Sequence, residues 1–375
     1  MIFLFWLFAG LILWSYAGYP VYVWIRAYLK PAASGAKGNW WPKVSILISA
    51  YNEARTINEK ITNCLDFDYP KGRMEILIAS DGSTDGTPEL VRSRLAENVK
   101  CFDLPRGGKA RALNRLAGEA DGDIFVFTDA NAMLPGDALK KVIACFDDPS
   151  AGCVSTLKKI IPKDTAVGQG ESVYWKYEHF VKKHESLQGS AAGADGAFYA
   201  IKREYFTPLR DDRNIADDLA VSLTAWQYGK RIVLAESVFS FEPADNSIAR
   251  EFYRKVRIAE GSYRAVLTKA WSLNPFKNRY WLGLYSHKIL RWAGPFLFAG
   301  MMLMASLMLH DVFYCIIFCL MALALFSGLI SLIYSRNVPI LSTLGHFELA
   351  NIAQAFGFIQ FIFKPRPSYW ETRTG

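Results

Sequence analysis

Acidic and polar side chains follow three short apolar runs of this sequence, at the point where each run ends. The runs and the residues that follow them are Val44–Ala50 with Tyr51-Asn52-Glu53, Met74–Ser80 with Asp81, and Ile124–Thr128 with Asp129. Oxygen atoms of such side chains can bind a divalent cation or a polar ligand. If the runs are neighbouring parallel strands, their carboxyl ends lie at one edge of the sheet, where ligands bind in such folds. We therefore predict a ligand site at that edge.

Helical patterns alternate with these strand-like runs. Helices are predicted up to Cys64, from near Asp85 and over Lys109–Ala120, and a further strand is predicted near Val99–Asp103. This alternation indicates an α/β domain with a mostly parallel sheet that is covered on both faces. The first strand is not followed by the glycine pattern of dinucleotide-binding enzymes. Gly107-Gly108-Lys109 also lacks the remaining residues of a phosphate-binding NTPase loop, so both classes are disfavoured.

Three uncharged stretches are long enough to cross a bilayer core of ~30 Å. They are Met1–Ile25, Trp292–His310 and Val312–Ser335. A cleaved signal peptide is the alternative for the first stretch, but it would have a basic start and a short apolar core, and this stretch has neither. The basic residues that follow the first stretch (Arg26, Lys30, Lys37 and Lys43) predict a cytosolic location for the next domain.

The remaining apolar stretch, 340–363, is interrupted by polar residues. An interfacial or re-entrant helix is favoured over an additional membrane helix, because a crossing would move the basic tail away from the cytosol. The predicted organisation is a transmembrane anchor at 1–26, an α/β domain at 40–245, basic-aromatic interfacial helices at 246–291, a transmembrane hairpin at 292–336, the ambiguous helix at 340–363 and a cytosolic tail at 364–375.

The positive charge of the chain is concentrated in one stretch. Ten Lys/Arg and two acids lie between Arg250 and Arg291, interleaved with aromatic residues, whereas the whole chain has a net charge of +8. Nucleic-acid binding is one explanation. Contact with anionic membrane lipids or with a pyrophosphate is the simpler one, because the stretch leads directly into a membrane span. The six cysteines have no metal-ligand spacing and are predicted to be reduced thiols.

The motifs at the strand ends, taken in order, resemble glycosyltransferase family 2. The matching segments are Ala50-Tyr51-Asn52-Glu53, Ser80-Asp81-Gly82-Ser83-Thr84-Asp85-Gly86-Thr87 and Thr128-Asp129-Ala130-Asn131. This inverting family has a GT-A fold and includes cellulose, chitin, hyaluronan and poly-N-acetylglucosamine synthases. The resemblance covers roughly residues 43 to 260. It implies a GT-A domain at 40–245 that uses a nucleotide-sugar donor, most commonly a UDP-sugar.

The resemblance assigns roles on the donor side. It implies that Tyr51 and Glu53 line the base and ribose, that Asp81 holds the uracil or ribose, and that Lys109 contacts the nucleotide. Asp129 matches the first acid of the D-x-D metal motif, and Asn131 stands at the second position. An amide oxygen can still bind Mg²⁺ or Mn²⁺, although it adds no charge, so metal dependence is expected. The alternative for Asp129 is a cap at a strand end.

On the acceptor side, Gly193-Ala194-Asp195-Gly196-Ala197 resembles the glycine-rich stretch that borders the sugars in this family. Asp195 would contact a donor hydroxyl or cap a turn, and both remain open. Asp217-Asp218 begins a predicted helix that Gly229 ends. Asp218 falls where similar enzymes have the general base, which takes the proton of the acceptor hydroxyl. The alternative is that both acids only stabilise the helix N-terminus.

The stretch Arg254-Lys255-Val256-Arg257-Ile258 lies where processive synthases have a Gln-x-x-Arg-Trp motif. Arg257 matches the motif's arginine and would bind the donor diphosphate. Arg254 replaces the glutamine and is, like Arg257, predicted to contact the nucleotide-sugar. Ile258 replaces the tryptophan on which a growing polymer packs. The tail residues Trp370–Arg373 resemble the short cytosolic tail of several such enzymes.

Three hypotheses follow from these residues. The favoured one is a glycosyltransferase of the bacterial inner membrane, with a cytosolic catalytic domain, that adds a sugar to a lipid-linked or glycan acceptor in cell-surface or exopolysaccharide biosynthesis. The first alternative is a processive synthase that elongates and exports a β-linked polymer. The second is a non-catalytic, nucleotide-binding membrane subunit. Partner subunits of a glycan assembly system are compatible with each hypothesis.

Overall fold

The computed structural model describes residues 1–29, 40–94, 98–161, 166–211, 213–243, 247–333 and 339–363. Its centre is a seven-stranded sheet with the order β3-β2-β1-β4-β6-β5-β7. The strands are β1 Val44–Ala50, β2 Met74–Asp81, β3 Val99–Leu104, β4 Ile124–Thr128, β5 Ala151–Ile161, β6 Phe198–Lys202 and β7 Arg231–Pro243. The first four strands are parallel to each other, and β6 is antiparallel to both of its neighbours, β4 and β5.

Helices pack on both faces of this sheet. The helices of the α/β domain are α3 Ile57–Leu65, α4 Thr87–Arg92, α5 Lys109–Glu119, α6 Ala138–Ala144, α7 Ala166–Gln188 and α8 Asp217–Gln227. One apolar core lies between the sheet and the helices α3 and α6, and a second core lies between the sheet and the helices α5 and α8. The predicted α/β class with a mostly parallel sheet is confirmed.

The predicted element boundaries agree closely with the structure in this domain, with one difference at α4. The helix begins at Thr87 rather than near Asp85, because Gly86 has a φ of 87° and interrupts the helical backbone. The N-cap position is Gly86, and Asp85 lies one residue before it, where its Oδ1 accepts a hydrogen bond from the backbone N–H of Thr87 at 3.1 Å. The sequence predicts Thr84 or Asp85 as the cap, which is wrong, and the predicted start lies two residues too early.

Seven further helices lie outside this domain in the described part of the chain. They are α1 Ile2–Leu13, α2 Tyr19–Tyr28, α9 Ile248–Thr268, α10 Trp281–Gly283, α11 Leu290–Ser306, α12 Val312–Ile333 and α13 Pro339–Phe363. Single π-helical turns join α1 to α2 and α10 to α11, which gives two continuous long helices. Three helical segments, Ile2–Tyr28, Trp281–Ser306 and Val312–Ser331, are long and apolar enough to cross a membrane.

The second of these segments begins at Trp281, whereas the sequence predicted a start at Trp292. The sequence placed the boundary after the polar residues His287, Lys288 and Arg291. These side chains are tolerated inside the helix because they approach the buried carboxylate of Glu178 on α7, with Arg291 Nη1 at 3.0 Å from its Oε2. The helix therefore carries a polar face where it meets the α/β domain.

Helix α13 packs against α7 and α9 on one side and against the apolar helices α11 and α12 on the other. It is not among the three membrane-crossing candidates of the described chain. Its place between the two groups of helices is compatible with the predicted interfacial helix, which stays a prediction. The predicted tail, 364–375, and the basic residues Lys30 and Lys37 lie outside the described residues.

Candidate active site

An ion cluster forms where the carboxyl end of β4 meets the start of α5 and of α8. Lys109 Nζ lies 2.8 Å from Asp129 Oδ1 and 3.1 Å from Asp217 Oδ1. Burial alone would lower the pKa of Lys109, but the carboxylates of Asp129 and Asp217 raise it above its usual value. The lysine therefore carries a stable positive charge at the strand edge. The structure thus brings together three residues that are far apart in the sequence.

Asp218 lies next to this cluster at the first turn of α8. Its Oδ1 accepts a hydrogen bond from the backbone N–H of Leu219 at 2.8 Å. Burial, together with the neighbouring carboxylates of Asp217 and Asp195, raises the pKa of Asp218 to about 6. A carboxylate with such a pKa is ionised near neutral pH and is basic enough to accept a proton from a hydroxyl group.

The glycine-rich stretch borders this carboxylate. A Cβ atom on Gly196 would lie 3.2 Å from Asp218 Oδ2, so the backbone approaches the carboxylate as closely as a residue without a side chain allows. Asp195 caps the turn in this stretch, since its Oδ1 accepts from the N–H of Ala197 at 3.2 Å, while its Oδ2 lies 3.9 Å from Lys182 Nζ. The structure shows the capping contact of Asp195, and its contact with a sugar stays a prediction.

A buried lysine, which was not predicted from the sequence, donates hydrogen bonds to the loop that carries Asp129 and Asn131. Lys60 on α3 is fully buried, and its Nζ donates to Thr128 Oγ1 at 2.8 Å and to the carbonyl of Ala132 at 2.5 Å. These bonds hold both ends of the turn that contains the two predicted metal-binding residues. Lys60 occupies an apolar helix face, so neither its residue type nor its neighbours in sequence indicate this contact.

The region predicted to bind the nucleotide base contains a second unpredicted residue, Arg106. Its guanidinium lies over the Tyr51 ring at 3.3 Å from the centroid, and its Nη1 lies 2.5 Å from Asp81 Oδ2. Asp81 also accepts from the N–H groups of Gly107 at 2.7 Å and Gly108 at 2.9 Å. The buried Asp81 therefore fixes the loop before α5, and with it the start of the helix that carries Lys109. Its predicted contact with uracil or ribose remains untested.

Asn52 and Glu53 connect the loop after β1 to the loop after β2. Asn52 has a φ of 53°, and its Oδ1 accepts from the N–H of Thr84 at 2.8 Å. The backbone N–H of Glu53 donates to Thr87 Oγ1 at 2.9 Å. The Glu53 side chain accepts from Oγ1 of Thr56, the N-cap residue of α3, at 2.8 Å. Its contact with the base and ribose stays a prediction.

The two arginines predicted to contact the nucleotide-sugar, Arg254 and Arg257, lie on α9. Arg254 forms a bidentate ion pair with Glu251 at 2.6 Å for both bonds. Burial alone would raise the pKa of Glu251. The hydrogen bonds and positive charges of Arg254 and Lys255 lower this pKa to about 2. The backbone carbonyl of Arg257 accepts from Asn214 Nδ2 at 2.9 Å, which ties this helix to the loop before Asp217. Arg254 is thus paired with an acid of its own helix, and the predicted contacts of Arg254 with the nucleotide-sugar and of Arg257 with the diphosphate stay predictions.

A buried polar network joins the apolar helices to the glycine-rich stretch. Glu185 on α7 accepts from Tyr19 Oη at 2.8 Å and lies 2.9 Å from His287 Nδ1. Its second oxygen accepts from the N–H of Ala192 at 3.1 Å, immediately before Gly193. A single side chain thus contacts the first and second candidate membrane helices and the loop that leads to Asp195 and Gly196.

The donor atoms at Asp129 and Asn131 fit a hard divalent cation. Both side chains offer oxygen atoms, and the Asp129 side chain is 36% exposed, so the carboxylate can be reached from the strand edge. Mg²⁺ and Mn²⁺ prefer oxygen ligands, and in nucleotide sites they take the rest of their coordination from phosphates and water. The described residues contain no cluster of three His, Cys, Asp or Glu side chains around one point, so the protein alone would not form a closed metal cage.

The sheet order, the acids at the strand ends and the carboxylate at the start of α8 define a GT-A type glycosyltransferase domain. Residues 45–209 match the family model described as glycosyl transferase family 2. The family prediction is thus confirmed for the catalytic domain.

Curated relatives are poly-beta-1,6-N-acetyl-D-glucosamine synthases of two staphylococci. The protein of Staphylococcus epidermidis is 27% identical over 235 residues, which cover 61% of this chain and 57% of the relative. The protein of Staphylococcus aureus (strain COL) is 28% identical over the same shares. This chain therefore spans little more than half the length of these relatives.

The similarity to one solved structure includes the helices outside the sheet domain. Mannosyltransferase PcManGT from Pyrobaculum calidifontis, in complex with GDP-Man and Mn²⁺, is 22% identical and has a TM-score of 0.73. The match covers 96% of this chain and 99% of that chain. At this identity the match shows a shared fold, and it confirms the GT-A prediction together with the arrangement of apolar helices around it.

Proposed function

We propose that this protein is an inverting glycosyltransferase that moves a sugar from a nucleotide-sugar to a lipid-linked or glycan acceptor at the membrane. The observation that carries the proposal is the placement of Asp218. Its basic carboxylate lies against Gly196 and beside the ion cluster of Lys109, Asp129 and Asp217. A proton acceptor and a charge-neutralising group thus lie at the same edge of the sheet.

The reaction assigned to these residues is a single displacement. Asp218 accepts the proton of the acceptor hydroxyl while that oxygen attacks the anomeric carbon. The bond between the anomeric carbon and the diphosphate oxygen breaks, and the nucleoside diphosphate leaves with the electron pair. Lys109 provides a positive charge near the developing negative charge of the leaving group. Asp129 and Asn131 would hold a Mg²⁺ or Mn²⁺ ion, which supplies further charge neutralisation when bound.

The place in metabolism that we propose is the assembly of a cell-surface polysaccharide, with the catalytic domain on the cytosolic side of a membrane that the chain crosses several times. The names of the staphylococcal relatives support a role in polysaccharide synthesis and an N-acetylhexosamine donor. The mannosyl donor and Mn²⁺ of the similar structure support a nucleotide-sugar and a divalent metal. Basic residues after the first apolar helix support the cytosolic location.

A processive polymer synthase is the second candidate, and the relatives' names favour it. Ile258, in place of the polymer-packing tryptophan, is 45% exposed on α9 and offers no aromatic surface to a sugar ring. This residue favours single addition. The two candidates share donor, metal and base, and they differ only in whether the product stays bound for another cycle.

A donor screen tests the proposal. Purified protein in lipid nanodiscs is given UDP-, GDP- and dTDP-sugars with Mg²⁺ or Mn²⁺ and a membrane lipid extract, and nucleoside diphosphate release is measured. We expect release with one donor class, dependent on the metal and on the extract. Binding of nucleotide-sugars without release under every condition would instead support the non-catalytic subunit.

A further inference from the structure

A basic cleft lies beside the loop that leads to the proposed catalytic base. It has a volume of about 260 Å³ and is formed by the ends of α9 and α13 and by the loop before α8. Three guanidinium groups line it, those of Arg210, Arg213 and Arg264. In the part of the chain that the structure describes, none of the residues lining this cleft is acidic. The charged side chains that line the cleft are therefore all basic.

One of the arginines is held in place by its surroundings. Arg264 Nε lies 3.4 Å from the fully buried Glu260 carboxylate, and its Nη2 donates to the carbonyl of Phe361 at 3.2 Å. The Arg264 guanidinium also lies over the Phe361 ring at 5.1 Å. The wall of the cleft thus combines a fixed cation with an aromatic side chain. Arg210 and Arg213 also line the cleft, and both residues are exposed.

The apolar surroundings of the cleft indicate that the anionic group of its ligand is attached to an apolar chain. Leu267 lines the cleft and is 52% exposed, and α13 ends next to it with Ile362 and Phe363 exposed at 49% and 74%. Helix α13 also packs against the apolar helices α11 and α12, so the rim lies on a helix that contacts two candidate membrane segments. A ligand with a phosphate group on a hydrocarbon chain satisfies both the guanidinium groups and the rim.

The cleft is close enough to the base for the two to act on one acceptor. Asn214 lines the cleft, and its Nδ2 donates to the carbonyl of Arg257, while the N–H of Ala216 donates to the carbonyl of Gly261 at 3.1 Å. This loop is therefore fixed against α9. Asp218 follows Asn214 by four positions, a span of at most about 14 Å in an extended chain. A phosphate in the cleft could thus lie one or two sugar rings from the hydroxyl at Asp218.

We propose that this cleft binds the phosphate group of the lipid acceptor and thereby places the acceptor hydroxyl at Asp218. The proposal rests on the proposed function, of which it specifies the acceptor class: a lipid phosphate rather than a neutral glycan. Guanidinium groups bind phosphate by paired, charge-assisted hydrogen bonds, whereas a bulk phospholipid headgroup would make no use of the position beside the base.

The test measures the binding of dodecyl phosphate to the whole chain in phosphatidylcholine nanodiscs, with dodecanol and phosphatidylglycerol as comparison ligands. We expect dodecyl phosphate to bind more tightly than either. The Arg210→Gln/Arg213→Gln double variant should bind it at least about tenfold more weakly, because charge-assisted hydrogen bonds are lost. Arg115→Gln, which removes an exposed arginine of α5, is the matched control and should bind as the wild type does.

Two further measurements keep the outcome interpretable. Nucleotide binding should be the same in all variants, which shows that they are folded, and Arg213→Lys should recover part of the lost affinity. In the transfer assay the cleft variants should raise the KM for the lipid acceptor and leave the KM for the donor unchanged. Equal affinity of wild type and double variant for dodecyl phosphate would overturn the proposal, and so would phosphatidylglycerol binding that matches dodecyl phosphate and depends on the same arginines.

Failure of the cleft proposal is distinguishable from failure of the proposed function. If the wild type transfers sugar to lipid and the cleft variants do so with unchanged KM, only the cleft assignment is wrong. If the wild type transfers no sugar to any acceptor, the proposed function is wrong, and with it the role of the cleft in an acceptor site.

Discussion

Lys109 Nζ lies 2.8 Å from Asp129 Oδ1, at the carboxyl edge of the central sheet. This contact joins the residue that we expect to neutralise the leaving diphosphate to the residue that we expect to bind the metal. The same ammonium group lies 3.1 Å from Asp217, the neighbour of the proposed base. Donor activation and acceptor activation are therefore electrostatically connected through one side chain.

The exchange Asp218→Asn removes the proposed base without changing its shape. We expect the turnover number to fall by about 10²–10⁴-fold, because the acceptor hydroxyl loses its proton acceptor, while donor binding stays nearly intact. Turnover and nucleotide affinity are measured on the same preparation. An equal loss of both would show that Asp218 serves the donor site or the fold instead of the chemistry.

The pH dependence of catalysis should report the same carboxylate. Burial, with the charges of Asp217 and Asp195, raises the pKa of Asp218 to about 6, and the base works only when deprotonated. We expect kcat/KM to fall about tenfold per pH unit below pH 6 and to level off above it. In Asp217→Asn the falling limb should move to lower pH, because a negative charge that raises the pKa is removed. If the fall of kcat/KM occurs at the same pH in Asp217→Asn and in the wild type, a group other than Asp218 titrates there.

The exchange Asp129→Ala tests the predicted metal site. We expect donor affinity in the presence of Mn²⁺ to fall to the level that the wild type has after chelation, because the carboxylate ligand is lost. Titration calorimetry with and without the metal makes the comparison. If Asp129→Ala binds the donor as the wild type does under both conditions, Asp129 only caps the strand end.

A methyl group at Gly196 tests the closeness of the glycine-rich stretch to the base. In Gly196→Ala the new Cβ would lie 3.2 Å from Asp218 Oδ2, so the carboxylate must shift by a few tenths of an ångström. We expect a loss of turnover of about tenfold or more, since small displacements of catalytic groups are costly. Gly118→Ala is the control, because a Cβ at this position would have no neighbouring atom within 4 Å and alanine is favoured within α5. Unchanged turnover in Gly196→Ala would contradict the assignment of Asp218 as the catalytic base.

The buried network around Glu185 is expected to stabilise the junction between the apolar helices and the catalytic domain. Glu185→Gln should destabilise the protein by about 3–5 kcal/mol, because His287 and Tyr19 lose a buried charged partner. The exposed pair of Lys183 and Glu236 provides the control, and Glu236→Gln should cost less than about 1 kcal/mol. Thermal unfolding of both variants provides the comparison, and equal midpoints would show that the network adds no stability.

The sequence predicted the strands and the residues at their ends because both depend on local signals. Short β-rich apolar runs indicate buried strands, and a parallel sheet brings the ends of β1, β2 and β4 to one edge wherever the helices pack. Asp81, Asp129 and Asp218 could be found in this way or by family resemblance. The contacts within the ion cluster could not be predicted. The distance between Lys109 and Asp217, for example, depends on how α5 and α8 pack.

Two supporting residues were missed for a related reason. Lys60 lies within the apolar stripe of α3, where a lysine is not expected, and only the loop after β4 gives it buried acceptors. Arg106 directly precedes a glycine pair, but its partners, Tyr51 and Asp81, come from the ends of two earlier strands. Long-range polar partners of this kind leave no periodic pattern. The same holds for Glu178, whose contact with Arg291 allows the second apolar helix to begin at Trp281.

The most direct test of the proposed transfer follows a radiolabelled sugar from its nucleotide donor into product. Wild-type protein and Asp218→Asn are incubated in nanodiscs with the donor, the metal and a lipid extract, and the label is separated into glycolipid, polymer and unreacted donor. We predict that the wild type transfers label to a lipid one sugar larger, with one nucleoside diphosphate released per sugar, and that Asp218→Asn transfers almost none. Label that stays in the donor with both proteins, although both bind it, would contradict the assignment of this chain as a glycosyltransferase.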